Sequence, residues 1–325
     1  MAQVAGAKST YQEPIFTGGN REDLSDVLYD VSPTDTPFLT MCKKGKADGT
    51  YHEWLTDELE EPVKNAVIEG HVAEPKKAGS RVRIGNYTQI LEKTASVTGS
   101  QEKAKKGGGI KSEMAYQITR RMKEIKRDLE RTVIGESPQI AKAGSDTVAR
   151  EMASFVNFMD DSSYMALASS GVTAPTGDGK TQAVPGALTV FTEDHLIAAL
   201  AKMWTNTSGS ENISAIMGAS IRGKFSKFQS AATRYVSTDN ARLQASIDVY
   251  DGDFHTVTAV PDRYSNPASV FLVDWDYVSI DDYRPIFTQD LATTGDGKSK
   301  QIIWETTLKV GNPKAHMVID GAKAA

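Results

Sequence analysis

The chain has one cysteine, Cys42, in 325 residues. An internal disulfide is therefore excluded, and folding in a reducing cytoplasm is expected. Long apolar runs are missing too. Nothing approaches the roughly 20 consecutive apolar residues of a membrane helix, so no membrane contact is expected. The opening MAQVAGAKSTYQEP has no apolar stretch behind its lysine, so no signal peptide is expected either. A surplus of positive charge is also lacking, with 37 Lys and Arg against 42 Asp and Glu. A chain whose task is tight nucleic-acid binding carries a basic surplus; this one has room only for local basic faces. At 39% hydrophobic and 24% charged residues, it falls in the ordinary globular range. Its length suits one large domain or two of common size.

Catalytic and metal-binding patterns are equally scarce. The histidines His52, His71, His195, His255 and His316 are far apart, and none neighbours Cys42. Metal-ligand spacing is absent, and there is no G-x-S-x-G elbow. TGDGK occurs at 176–180 and 294–298, followed by Thr181 and Ser299, and this is close to the end of a phosphate-binding loop. The first glycine of that loop is replaced by Ala174 and Ala292. The loop must also lead into a helix, whereas TQAVPGA and QIIWETTLKV do not read as helices. Two polar turns are expected. The pairs Asp160-Asp161 and Asp281-Asp282 read as solvated carboxylates.

What is present is a set of segments unable to satisfy their own surface. Residues 1–20 are small and polar, as in an extended arm. A short helix with Leu24, Val27 and Leu28 follows, and Pro33 and Pro37 should end it. GTYHEWLTDELEEP and RVRIGNYTQILEKTASVTG read as two strands of one long hairpin around a polar tip. The apolar phase of the second strand slips near Ile90-Leu91, as a bulge would produce. Such a hairpin is marginal alone in water and must lie on something else. KKGGG at 105–109 is a flexible joint. Then KSEMAYQITRRMKEIKRDLERTVIG places Met114, Ile118, Met122, Ile125, Leu129 and Val133 on one helical face. Ser112 caps that helix and Gly135 ends it. The flanks carry Arg120, Arg121, Lys123, Glu124, Lys126, Arg127, Asp128, Glu130 and Arg131, where i,i+4 pairing is expected. Beyond it, 145–170 reads as a ragged second helix. TEDHLIAALAKMWTNT is an amphipathic helix opened by Thr192, with Leu196, Ile197, Leu200 and Trp204 on one face. ISAIMG is a strand, ASIRGKFSKFQ a helix, and SIDVYDGDFHTVTAV a hairpin turning at Asp251-Gly252. Two strands flank Gly311-Asn312-Pro313, and Trp304 lies on the apolar face of the first. The class is α+β, and the economical reading is a subunit that interlocks with its own copies.

The order of motifs resembles tailed-bacteriophage major capsid proteins with the Hong Kong 97-like fold. The arm pattern S-P-x-D-T-P-F appears as Ser32-Pro33-Thr34-Asp35-Thr36-Pro37-Phe38. A W-x-x-D-x-L-x-x-P-x-x-N-A-x-x-E-G run appears as Trp54, Asp57, Leu59, Pro62, Asn65, Ala66, Glu69 and Gly70. Asn86-Tyr87-Thr88-Gln89-Ile90 follows, then the long helix with Glu124, Arg127, Asp128 and Glu130. Arg284-Pro285, the G-D-G-K turn and E-T-T-L-K-V-G-N-P-K-A-H at 305–316 complete the match.

The resemblance implies an N-arm at 1–47 and an extended E-loop at 48–110. It implies a P domain at 111–139 and 276–325 with its spine helix at 112–134, and an A domain at 140–275. It implies no enzyme activity and no cofactor. Self-assembly as hexamers and pentamers is expected, into an icosahedral shell enclosing double-stranded DNA. A separate scaffold, a portal and decoration proteins are expected as partners. Contact with packaged DNA should be non-specific, and the protein should be assembled in the bacterial host cytoplasm. Trp54, Glu58, Arg81, Arg83, Arg120, Arg121 and Arg127 are the candidates for contact between subunits, and Gly107, Gly108 and Gly109 for a hinge. With about 20 residues before Arg21, no cleaved scaffolding segment is expected. No lysine–asparagine cross-linking pair is identifiable. The rival readings are a nucleic-acid-binding oligomer using the basic face of 112–134, and a nucleotide hydrolase using a TGDGK loop.

Overall fold

The structure is a computed structural model that describes residues 35–60, 62–72, 79, 81–105, 110–206, 213–228, 249–293 and 295–324. The 1–20 arm, the helix expected around Leu24 and the glycines 107–109 lie outside the described residues. In chain order the elements begin with α1 (Pro37–Met41), β1 (Lys43–Lys46), β2 (Tyr51–Thr56), β3 (Val82–Tyr87), β4 (Gln89–Thr98), α2 (Gly99–Lys103) and α3 (Glu113–Ile134). They continue with β5 (Tyr164–Ala166), β6 (Thr189–Val190), α4 (Glu193–Asn206), β7 (Ile213–Met217), α5 (Ala219–Phe225), β8 (Val249–Asp251) and β9 (Thr256–Pro261). The last are β10 (Ser269–Asp274), β11 (Val278–Asp290), β12 (Gly297–Val310), β13 (Met317–Asp320) and β14 (Ala322–Lys323).

The strands form a four-stranded sheet β1-β11-β12-β4, a six-stranded sheet β5-β13-β10-β7-β9-β8, and the pairs β14-β6 and β2-β3. The six-stranded sheet separates two apolar cores. On one side Phe271, Val273, Ile216 and Val318 meet the C-terminal half of α3, Phe38 of α1 and the 152–159 segment. On the other, Val270, Leu272, Ala215, Met217 and Ile319 meet α4 and α5. Strand β10 is central and covered on both faces, so it is buried at every position.

The α3 helix spans 22 residues, about 33 Å at 1.5 Å per residue. The Ser112 hydroxyl accepts the Ala115 N–H at 3.3 Å, and Glu102 of α2 accepts those of Glu113 and Met114. The apolar stripe is not uniform in depth. Ile125, Leu129 and Val133 are buried, whereas Met114, Ile118 and Met122 are half-buried where α3 runs along β4. Gly135 closes the helix without a left-handed turn, at φ −75°. A Cβ there would stand 2.1 Å from the Arg131 carbonyl oxygen, so close approach explains the glycine.

Several expectations change. Pro37 starts a helix rather than ending one, because a first-turn proline gives up an N–H that has no helical partner anyway. The long hairpin is shorter than expected. β2 pairs with β3 only, and the chain then crosses at Thr88 so that β4 pairs with β12. That change of sheet, not a bulge, shifts the apolar phase. Residues 145–170 form no α-helix, and their helical content is a single 3-10 turn at Phe155–Phe158. Positions 152–159 are all buried, so there is no polar face for an amphipathic helix to present. Part of their backbone is met by side chains, with Asn86 accepting the Ala153 N–H and Gln89 that of Met152. On α4 the buried face is Leu196, Ala199, Leu200 and Met203, and Ile197 and Trp204 are exposed. Trp204 stacks on Phe254, with ring centroids 5.7 Å apart. In β12 both faces are covered from Ile302 to Leu308, and Trp304 is half-buried, donating its indole N–H to Asp282 at 2.7 Å. The strand, helix and hairpin expected at 213–261 are present as β7, α5 and β8–β9.

The uneven stripe predicts uneven costs. Leu129→Ala should destabilise the subunit by about 3 kcal/mol, as a buried leucine does, and Met114→Ala by about 1 kcal/mol. Urea denaturation of the two variants measures the difference, and equal losses would contradict the burial gradient along α3.

Candidate assembly surfaces

Among the described residues no group of three His, Cys, Asp or Glu side chains is placed to hold a metal ion. The histidines serve separate local roles. His316 is fully buried, accepts the Asp274 N–H at 3.1 Å, and has its pKa pushed down to about 3 by burial, so it is a neutral core residue. His52 lies beside Trp54 with Nε2 3.0 Å from Asp281 Oδ2. In the first TGDGK turn Asp178 folds back onto the Thr176 hydroxyl and the Lys180 N–H, and Gly177 and Gly179 take positive φ. A carboxylate thus sits where a bound phosphate would need free N–H groups. The second turn joins β11 to β12, and neither leads into a helix.

Of the two acidic pairs only Asp161 is exposed as expected; the other three carboxylates are engaged. Asp160 caps its own turn, accepting from the amides and hydroxyls of Ser162 and Ser163. Burial opposes its ionisation, yet these donors hold its pKa below the usual range. Asp281 is buried and accepts from Ser279, and Asp282 accepts from Trp304.

The β2–β3 pair carries an apolar string. Leu59, Val63, Val67, Ile68 and Val72 follow β2 and are exposed, Leu59 at 98% and Ile68 at 80%. Trp54 is the opposite case, 8% exposed and packed on Phe158. Its ring belongs to the subunit's own core, and the surface open to a neighbour begins after it. At the root of the hairpin Glu58 pairs with Lys314 at 2.6 Å, Arg81 reaches Asp57 at 3.5 Å, and Arg83 reaches Glu53 at 3.7 Å. Asp57, Glu58, Arg83 and Lys314 border an open cleft of about 770 Å³ between the hairpin and the body.

On α3, Arg120 and Arg121 converge on Glu124 at 3.4 and 2.6 Å, and Arg127 lies over the Tyr264 ring at 5.3 Å. Lys93 of β4 holds Asp128 at 2.7 Å. The hairpin candidates and the helix candidates therefore form two separate groups. The proposed hinge Gly107–Gly109 is outside the described residues.

Among the buried carboxylates that local pattern does not reveal, Glu305 and Glu130 tie distant segments together. Glu305 on β12 is 2% exposed. It accepts from Arg284 of β11 at 2.6 Å, from the Thr88 hydroxyl at 2.8 Å, and from Arg150, whose Nε also donates to the Thr88 carbonyl. Glu130 on α3 is fully buried and accepts the N–H groups of Phe38 at 2.7 Å and Leu39 at 2.9 Å. The signal for Glu305 was a carboxylate within an otherwise apolar and threonine-rich strand. For Glu130 it was a carboxylate one position from the apolar stripe. Neither pattern names its partner, because those partners lie far away in sequence.

A sequence model described as SU10 major capsid protein matches residues 5–323. A curated major capsid protein of Escherichia phage Phieco32 is 34% identical over 117 residues, 36% of this chain and about a third of that relative's length. Among solved structures, the capsid of a native GTA particle superposes with a TM-score of 0.64 at 14% identity, covering 97% of this chain and 99% of that one. A cyanophage A-1(L) capsid subunit superposes at 0.67 with 10% identity, covering 93% and 97%.

The Glu305 cluster makes a stability prediction. Glu305→Ala should lower the unfolding free energy by about 3 kcal/mol, the lower end for breaking a buried pair, because both guanidinium groups reach solvent. Arg284→Ala should cost roughly 1 kcal/mol, since its side chain is 43% exposed. Chemical denaturation ranks the two; a harmless Glu305→Ala would remove the cluster from the fold's supports.

Proposed function

The chain belongs to the SU10 major capsid protein family, and from that membership we propose how its parts serve a shell. It is the major capsid protein of a tailed phage and forms the capsid. The finer reading is a Hong Kong 97-like subunit assembling as hexamers and pentamers around double-stranded DNA. In it, residues 1–47 act as the N-arm and 48–110 as the E-loop. The P domain takes 111–139 and 276–325 with α3 as its spine, and the A domain takes 140–275. Two strands link these regions: β4 joins the β11–β12 sheet, and β13 joins the sheet of β7, β9 and β10.

One observation carries this reading. Leu59, Val63, Val67, Ile68 and Val72 are apolar, exposed, and carried beyond the end of a two-stranded ribbon. Several exposed large apolar side chains gathered on one projecting segment mark a contact surface, and a copy of the same subunit supplies a matching one at every lattice position. The cleft lined by Glu58 and Arg83 borders the same surface, and Arg81 pairs with Asp57 at its edge. Arg120, Arg121 and Arg127 flank the spine as charged contacts to neighbours. Gly107, Gly108 and Gly109 join hairpin to spine and serve as the hinge. The net charge of −5 suits a container that holds DNA without accumulating phosphate contacts. Scaffold, portal and decoration proteins complete the set of partners.

Negative-stain microscopy of the purified protein, alone and with a co-expressed scaffold, tests this: shells, tubes or hexamers are expected. A monomer that only shifts DNA, and does so in a salt-sensitive way, would instead favour nucleic-acid binding through α3. Removing residues 62–80 should leave a soluble subunit that no longer closes shells. Ordinary shells from that deletion would strip the hairpin of its assembly role.

A further inference from the structure

We propose that Glu130 and Asp262 form a proton-held latch that fastens α1 to the long helix and loosens when the shared proton is lost. This goes beyond shell formation, because it concerns the subunit before and after it joins a lattice.

The geometry starts with α1, where the chain preceding Pro37 joins the body. α1 has five residues and no side-chain N-cap. Two of its otherwise unpaired amides, Phe38 and Leu39, donate to the two oxygens of Glu130. Asp262, just after β9, is 3% exposed. Its Oδ1 accepts the Tyr264 N–H at 2.9 Å, the Arg263 amide also favours its ionised form, and its buried Oδ2 has no hydrogen-bond donor at normal geometry among the described residues. Asp262 and Glu130 are within hydrogen-bonding reach of each other. Two carboxylates cannot hydrogen-bond without a proton between them, and a buried like-charged pair cannot both ionise cheaply.

The surrounding charges do not relieve the pair. Arg127 lies over the Tyr264 ring, and Arg131, one position after Glu130, is exposed. Arg263 and Tyr264 follow Asp262, and Cys42 closes α1. No ion pair joins a described lysine, arginine or histidine to Glu130 or Asp262. Burial first, and then the charge of Asp262, pushes the Glu130 pKa up to about 8. Burial likewise raises Asp262. Burial, and then the charge of Glu130, raises the Cys42 thiol.

Released from the latch, Glu130 has an ordinary carboxyl pKa near 4.3. The closed form therefore binds the proton more tightly than the open one. The latch is at full strength below the ordinary value, weakens as pH climbs toward about 8, and gives nothing further above it.

Cys42 is the only cysteine, buried at the end of α1, and serves as an internal probe. The full-length wild-type subunit is alkylated with iodoacetamide between pH 5.5 and 8.5, each rate divided by that of the urea-unfolded chain at the same pH. Deuterium exchange of the Phe38 and Leu39 amides, expressed as protection factors, is followed in parallel. Opening should grow at least tenfold, on the order of a hundredfold, across this range. In Glu130→Gln, which has no proton to lose, the corrected rates should be flat. In Asp262→Asn the rise should be smaller and shifted to lower pH, which keeps the test alive if the glutamine variant does not fold. The amides of β10 should stay protected throughout. Three results would overturn the latch: a pH-independent wild type, a wild-type slope in Glu130→Gln, or β10 opening in step with α1, which would signal global unfolding.

Discussion

The fold is organised around one buried negative charge. Glu305 is enclosed on β12, and a carboxylate is tolerated there only when paired and hydrogen-bonded. Its donors are Arg284 on the neighbouring strand, Arg150 from the irregular segment, and Thr88 at the point where β3 becomes β4. Satisfying this charge fixes distant stretches of chain relative to each other. It also places the 152–159 segment, whose only regular structure is a 3-10 turn at Phe155–Phe158, between α3 and the six-stranded sheet.

Periodicity carried much of this fold. The long helix with both its boundaries, the strand–helix pair at 213–225, the 249–261 hairpin and the strands after Ser269 were legible because local spacing alone determines them. Where the reading failed, tertiary context had replaced local pattern. Residues 152–159 are buried on all sides, so no period survives to be read. The strand over 81–99 changes partners at Thr88, and a sequence shows a phase slip without showing which sheet lies on either side. Pro37 was read as a stop although proline is also a common first helical residue.

The candidate contact residues differ in how far the subunit itself already engages them. Charged flanks on a helix announce themselves, but pairing consumes them: Arg120 and Arg121 share Glu124, and Arg127 covers Tyr264. Trp54, conspicuous in a polar segment, fills the subunit's own core. The apolar side chains beyond it were hidden among polar neighbours, since apart from the adjacent Val67 and Ile68 they are scattered through a charged segment. A monomer's structure separates these cases, because it shows which groups already have partners.

The crossing at Thr88 has a mechanical meaning. A single residue separates β3 from β4, and its N–H, hydroxyl and carbonyl are all engaged, with Thr50, Glu305 and Arg150 respectively. Ribbon and sheet are thus joined by a welded corner rather than a pivot. β3, about 20 Å long at 3.3 Å per residue, acts as a crank. A displacement of the ribbon would therefore be passed to the register between β4 and β12.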